Sequence, residues 1–229
     1  MTTLNFATDY CFYERGGDYD TLMVLFNYWG QDISVRSHGR YVAAAPCNKL
    51  YLHSGKNDWF QNGIPEVAES FDGLLTFCHD LRGRFSEKRL VFVGHSMGAF
   101  AALGCGLFSD ADRILASVPE VDLCQPGSFS AKYLDEKELR YPSICALLAE
   151  NRRTPIDVIV GVRDEADLRA ARSVVAIRPA SLIELDCAHE TFVDLRDAGL
   201  LELVFRAFVE GRDLGETLDQ AKPDARLGR

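Results

Sequence analysis

Gly94-His95-Ser96-Met97-Gly98 places a hydroxyl midway between two glycines. A serine that attacks a carbonyl from the end of a strand must sit on a sharp strand-to-helix turn, where only small residues fit two positions to either side. The flanks agree with such a turn. Leu90 to Val93 (LVFV) reads as a short buried strand, and Met97 to Leu107 (MGAFAALGCGL) as a helix of small residues that must pack closely. The letters alone would arise by chance in about one chain in ten of this length, so the weight lies in that context.

A serine hydroxyl is a weak nucleophile until a base takes its proton, and the base must be oriented by a third group. Histidine suits the role near neutral pH, and the chain has five: His38, His53, His79, His95 and His189. His79 lies in an amphipathic segment, His53 ends an early strand, and His95 adjoins the nucleophile, where the turn directs its side chain elsewhere. His189 stands four residues past the last strand, in Leu185-Asp186-Cys187-Ala188-His189-Glu190, and is the candidate base. For the acid, the strand Asp157 to Val160 leads into Gly161-Val162-Arg163-Asp164-Glu165-Ala166-Asp167. Asp164, in the loop directly after the strand, is preferred over Asp167, one turn later on the following helix; either could instead cap or line that helix's first turn. The oxyanion formed when Ser96 attacks needs donors. The backbone N–H of Met97 is one candidate, and an N–H after the Thr21 to Phe26 strand, of Tyr28 or Trp29, is the other, with Tyr28 preferred. Trp29 and Trp59 are expected to line the substrate site, although the aromatics at 28 and 29 could equally be ordinary core.

These residues need a scaffold in which strand ends gather. Short apolar runs at Thr21–Phe26, Lys49–His53, Leu90–Val93, Arg113–Val118, Asp157–Val160 and Ser181–Leu185 alternate with helical segments. One such segment runs from Pro65 to about Phe85, where Val67, Phe71, Leu74, Leu75, Cys78 and Leu81 recur at spacings of three and four. Leu201, Val204, Phe205 and Phe208 make a closing helix. This order predicts an α/β domain spanning 1–229, with a mostly parallel sheet covered by helices on both faces and its site outside the strands' carboxyl ends. The 119–154 segment breaks the rhythm with Pro126-Gly127, Asp135-Glu136-Lys137-Glu138 and Tyr141-Pro142, and reads as a short, partly helical, cap-like excursion. The polar stretch 211–229 reads as a peripheral tail.

Of 229 residues, 47% are hydrophobic and 26% charged, which suits a packed core. A formal net charge of −9 argues against a nucleic-acid partner and against adhesion to anionic lipid. The first twenty residues resemble neither signal peptide nor anchor, and no run approaches the ~18 apolar residues of a membrane span, so a cytoplasmic location is expected. Seven widely spaced cysteines without a C-x-x-C pair favour reduced thiols over disulfides or a zinc site.

Ser96 in its glycine elbow, an acid after a later strand and His189 before the last helix follow the order of the α/β-hydrolase superfamily, which the chain resembles over most of its length. The resemblance implies an eight-stranded-type sheet and no metal or organic cofactor. Asn27-Tyr28 stands where that superfamily often has a His-Gly pair. The Gly-His-Ser-Met-Gly-Ala elbow also looks like that of type II thioesterases, whose Pro-Gly-Arg region has no counterpart here. Phe26-Asn27-Tyr28-Trp29-Gly30-Gln31-Asp32 is similar to the opening of pimeloyl carrier-protein methyl ester esterases. Asn57-Asp58-Trp59-Phe60-Gln61-Asn62-Gly63, with Pro119-Glu120-Val121-Asp122-Leu123, looks like hydrolase-like domains encoded with bacterial glycan biosynthesis. The expectation is a serine hydrolase acting on a small-molecule or carrier-bound acyl ester or thioester through an acyl-serine. Transfer of the acyl group to a sugar or other hydroxyl acceptor is the alternative, and a non-catalytic binding module on the same fold is another.

Overall fold

Apolar runs such as TLMVLF and IDVIVG, buried at every position, can be accommodated only inside a sheet covered on both faces. The computed structural model, which describes residues 6–221, has such a sheet. Its strands are β1 (Cys11–Glu14), β2 (Thr21–Phe26), β3 (Asn48–Leu52), β4 (Arg89–His95), β5 (Arg113–Ser117), β6 (Ile156–Gly161) and β7 (Ser181–Leu185). They lie in the order β1-β3-β2-β4-β5-β6-β7, all parallel except β1, which pairs antiparallel with β3. The helices are α1 (Gly39–Val42), α2 (Phe71–His79), α3 (Leu81–Arg84), α4 (Met97–Phe108), α5 (Cys145–Glu150), α6 (Glu165–Ile177), α7 (Thr191–Asp197), α8 (Leu201–Val209) and α9 (Leu214–Ala221).

Alternation along the strands divides the interior into two layers. Leu22, Val24, Phe26 and Phe92 join the side chains of α2, α4 and α6, whereas Met23, Leu25, Val91 and Val93 join those of α7, α8 and α9. The two layers are therefore sealed by different helices, and the strand ends of β2, β4, β6 and β7 converge on one rim. At the opposite rim Arg113 grips Asp157 through two hydrogen bonds of 2.6 and 3.0 Å, locking β5 to β6.

Four expectations are corrected. The sheet has seven strands among the described residues, not eight. β1 is an additional strand: its apolar run, Cys11-Phe12-Tyr13, is only three residues long and lies on a half-buried edge, too short to stand out as a strand. The helix expected from Pro65 starts at Phe71: Glu66 takes a left-handed conformation (φ 65°) in a tight turn, and the Ser70 hydroxyl accepts the Gly73 N–H at 3.1 Å as the true cap. Within the 211–229 tail, α9 buries Leu214 and Leu218, four residues apart on one face, against α8, so this part is packed rather than peripheral. Residues 222–229 of the tail lie outside the described region. No helix among the described residues is long and apolar enough to cross a membrane.

Candidate active site

β4 enters α4 through Ser96, whose φ of 53° and ψ of −119° are strained for a residue with a side chain. The two glycines are dictated by contact. A Cβ on Gly94 would sit 2.0 Å from the Gly98 carbonyl oxygen, and one on Gly98 would sit 2.7 Å from that of Asn27. The same closeness holds the loop after β2 against the first turn of α4. The Asn27 side chain braces that loop, accepting the Ser54 N–H at 2.9 Å and donating to the Tyr28 carbonyl at 3.1 Å. His53 adds a second brace: its Nδ1 accepts from the Gly55 N–H at 3.0 Å, which leaves Nε2 to donate to the Gln31 carbonyl at 3.1 Å. Neither the Met97 nor the Tyr28 backbone N–H has a hydrogen-bond partner among the described residues. Both expected oxyanion donors are thus unoccupied by the fold itself.

The loop after β7 carries His189 over the elbow. Its Nε2 lies 2.8 Å from Ser96 Oγ, and its Nδ1 lies 2.7 Å from Asp167 Oδ2. An ionised carboxylate only accepts, so Nδ1 carries the hydrogen and Nε2 is free to accept from the serine hydroxyl. Burial works to lower the His189 pKa. The hydrogen bond and charge of Asp167 outweigh it, with Glu190 and Asp164 adding, and the net effect is a rise above the ordinary value of 6.5.

Asp164, the preferred acid in the sequence, does not reach His189. It is the N-cap of α6, accepting the N–H groups of Ala166 and Asp167 at 3.0 and 3.1 Å. The correction has a geometric cause. A residue that caps a helix turns its side chain back onto the helix's own first N–H groups, whereas Asp167, three residues on, projects from the first turn. Asp167 is only 4% exposed, consistent with a carboxylate held on a single partner.

His95 points away from Ser96, as expected. Its Nδ1 meets Ser117 Oγ at 3.0 Å and its ring stacks on Phe192. Burial above all, with His189 nearby opposing a second positive charge, holds its pKa well below the usual imidazole range.

An aromatic roof covers the site. Phe129 stacks on the His189 ring with centroids 5.0 Å apart and planes 20° apart. Trp29 packs on Tyr133 at 4.4 Å and edge-on to Phe129 at 5.6 Å, and Ser96 is left 3% exposed. Trp29 therefore packs against the ring that stacks on His189. Trp59 does not line the site: it is fully buried, 6.2 Å from Phe129, and supports the roof from within the core. Phe129 and Tyr133 belong to the excursion between β5 and β6, which folds into short 3-10 turns at Ser130–Lys132 and Glu136–Glu138 before α5. Its position is set by Glu120, a buried carboxylate that accepts from the Ser130 N–H at 2.9 Å and from the Ser130 hydroxyl. Burial raises the Glu120 pKa despite these bonds. Strain recurs beside it, since Val118, a β-branched residue, has φ 44°. The sequence offered no periodic signal for Phe129, Tyr133 or Glu120.

Phe129 keeps water from the imidazole, so removing it relieves the desolvation that opposes the His189 charge while leaving Asp167 in place. Phe129→Ala is expected to move the acidic limb of the pH–rate profile to higher pH, read as the midpoint of kcat/KM against pH. An unchanged or lower midpoint would mean the ring does not control solvation there.

Among the described residues no group of three or more His, Cys, Asp or Glu side chains could hold a metal ion. No family model matches the sequence, and no curated protein matches it. Solved structures do. The fold is similar to a lipase-esterase related protein from Clostridium acetobutylicum (12% identity, TM-score 0.59, 86% of this chain and 99% of that one). It is also similar to the capsule O-acetyltransferase of Neisseria meningitidis serogroup A (13%, TM-score 0.63, 86% and 90%). A third likeness is to MenH from S. aureus (12%, TM-score 0.59, 88% and 98%).

Proposed function

We propose, starting from the α/β-hydrolase fold that the chain carries, that it is a serine hydrolase cleaving a carboxylic ester or thioester through an acyl-Ser96 intermediate. The observation that supports this most is the unbroken chain of hydrogen bonds from Ser96 through His189 to Asp167. In the first half-reaction His189 Nε2 takes the Ser96 proton as Oγ bonds to the carbonyl carbon. The oxygen that becomes negative is met by the N–H groups of Met97 and Tyr28. Collapse breaks the bond to the leaving alcohol or thiol, which receives the proton from His189. Water then attacks the acyl-serine by the same steps in reverse, with His189 again as base. Asp167 holds the tautomer and stabilises the imidazolium.

A second reading, acyl transfer to a hydroxyl acceptor on a small molecule or sugar, is favoured by the roof, because a serine 3% exposed beneath Phe129 and Trp29 is guarded against water. Turnover of p-nitrophenyl acetate with increasing glycerol separates the two. A hydrolase releases acetate stoichiometrically whatever the glycerol concentration. A transferase releases nitrophenolate faster as glycerol rises and accumulates glyceryl acetate. Inertness toward activated esters of both oxygen and sulfur would refute both.

A further inference from the structure

A cavity of about 280 Å³ is lined in part by His95, whose ring centroid lies 5.6 Å from that of His189. Three of its lining residues adjoin the reacting ones: Tyr28 on the oxyanion loop, His95 before Ser96, and Glu190 after His189. Arg36, Arg40 and Arg196 are among its lining residues. In a chain with 34 acidic and 25 basic residues, a cavity lined by three arginines and one carboxylate is a local reversal of charge. Arg196 is held by Asp197 at 2.8 Å. Arg36 and Arg40 have no ion-pair partner among the described residues; the Arg36 guanidinium lies 4.4 Å above the Phe12 ring, and that of Arg40 lies 5.9 Å from the Tyr41 ring. Aromatic faces orient a guanidinium and leave its N–H fork unspent. His38, in the wall, holds Nε2 away from solvent with no hydrogen-bond partner, and burial pushes its pKa down to about 4. A neutral imidazole there adds a polar atom without adding charge. Glu190 is the one carboxylate in the lining, 3.9 Å from His95 Nε2, and does not pair with either free arginine.

We propose that this cavity binds a carboxylate or phosphate group of the substrate, with Arg36 and Arg40 as its ligands, so that the protein selects acyl esters carrying an anion. Guanidinium forks match the planar carboxylate and the tetrahedral phosphate through paired N–H···O bonds. The anion is either a carboxylate at the far end of the acyl chain or a phosphate on the leaving or accepting group, and the two sources share this chemistry. The proposal rests on Ser96 as the reacting residue for its place in the reaction, but not for the binding itself.

Two measurements test it. In the first, Ser96→Ala protein is titrated with inorganic phosphate and, separately, with succinate, followed by calorimetry. At least one should bind, and Arg36→Gln and Arg40→Gln added to that background should each weaken it about tenfold, the equivalent of ~1.4 kcal/mol. Succinate as the tighter ligand identifies an acyl-side carboxylate; phosphate identifies a phosphorylated leaving group or acceptor. In the second, kcat/KM for mono-p-nitrophenyl succinate is divided by that for p-nitrophenyl acetate. The ratio should favour the succinate in the wild type and fall in the Arg36→Gln, Arg40→Gln double variant. Arg40 is an exposed residue, and melting curves establish that the variants fold. Failure of both anions to bind, or binding and selectivity that ignore the two substitutions, would overturn the proposal. Arginine-dependent binding without any ester turnover would instead support the anion site and remove the hydrolase reading.

Discussion

Asp167→Asn should lower kcat/KM for an activated ester by about 10³- to 10⁴-fold, the size of effect seen when the orienting carboxylate of a Ser-His-Asp site becomes an amide. The amide can donate to Nδ1, which moves the imidazole hydrogen to Nε2. Nε2 then faces Ser96 Oγ as a donor, and the serine has no base. The residual activity should also shift in pH. Asp167 is the main influence raising the His189 pKa against burial, so without it the pKa falls. Because His189 works as a base in its neutral form, the acidic limb should move to lower pH even as the plateau drops. Asp164→Asn is the control. Asparagine caps helices about as well as aspartate, so this variant should stay within a few-fold of the wild type, and Asp164→Ala should cost stability, about 1 kcal/mol, more than rate. Steady-state kinetics from pH 5 to 9 on the three variants checks this. A large loss in Asp164→Asn with little in Asp167→Asn would reverse the assignment.

Ser96→Ala and His189→Ala should each abolish nearly all turnover, by about 10⁶-fold in kcat, and the double variant should be no worse than either alone. The equality follows from the shared hydrogen bond of 2.8 Å: a base without its nucleophile, or a nucleophile without its base, contributes almost nothing. The oxyanion donors and the binding surface remain in all three proteins, so each should keep the same small residual rate over water. Single-turnover measurements with p-nitrophenyl acetate give the three values. Losses that multiply would mean the two side chains act in separate steps.

The scaffold was legible where burial is uniform. β2, β5 and β6 lie within a residue of the runs that predicted them, because a strand covered on both faces must be largely apolar; β7, a partly buried edge strand, matches its run through Leu182, Ile183 and Leu185. The elbow was legible because steric exclusion at Gly94 and Gly98 leaves letters in the sequence. Asp164 and Asp167 were harder to tell apart, since both sit near a helix start and only the direction of the side chain separates a cap from a partner for His189. An aspartate directly before a helix that opens Glu165-Ala166-Asp167 is itself an N-cap signal, and the structure gives Asp164 that role. The roof was illegible for a different reason. Phe129 and Tyr133 are isolated aromatics in a segment of irregular backbone, and the place of Phe129 over His189 depends on Glu120 closing onto Ser130, ten residues later. Trp59 misled because a large aromatic in a polar stretch reads as a ligand contact, yet its backbone turns left-handed at φ 51° and carries the ring into the core.

Labelling with a fluorophosphonate, followed by peptide mass mapping, bears most directly on whether Ser96 is an activated nucleophile. The wild type should carry one adduct, at Ser96, formed far faster than in His189→Ala or Asp167→Asn and absent in Ser96→Ala. Folded wild-type protein that stays unlabelled at Ser96, or that labels as fast without His189, would contradict a working triad and leave a binding module on the same fold.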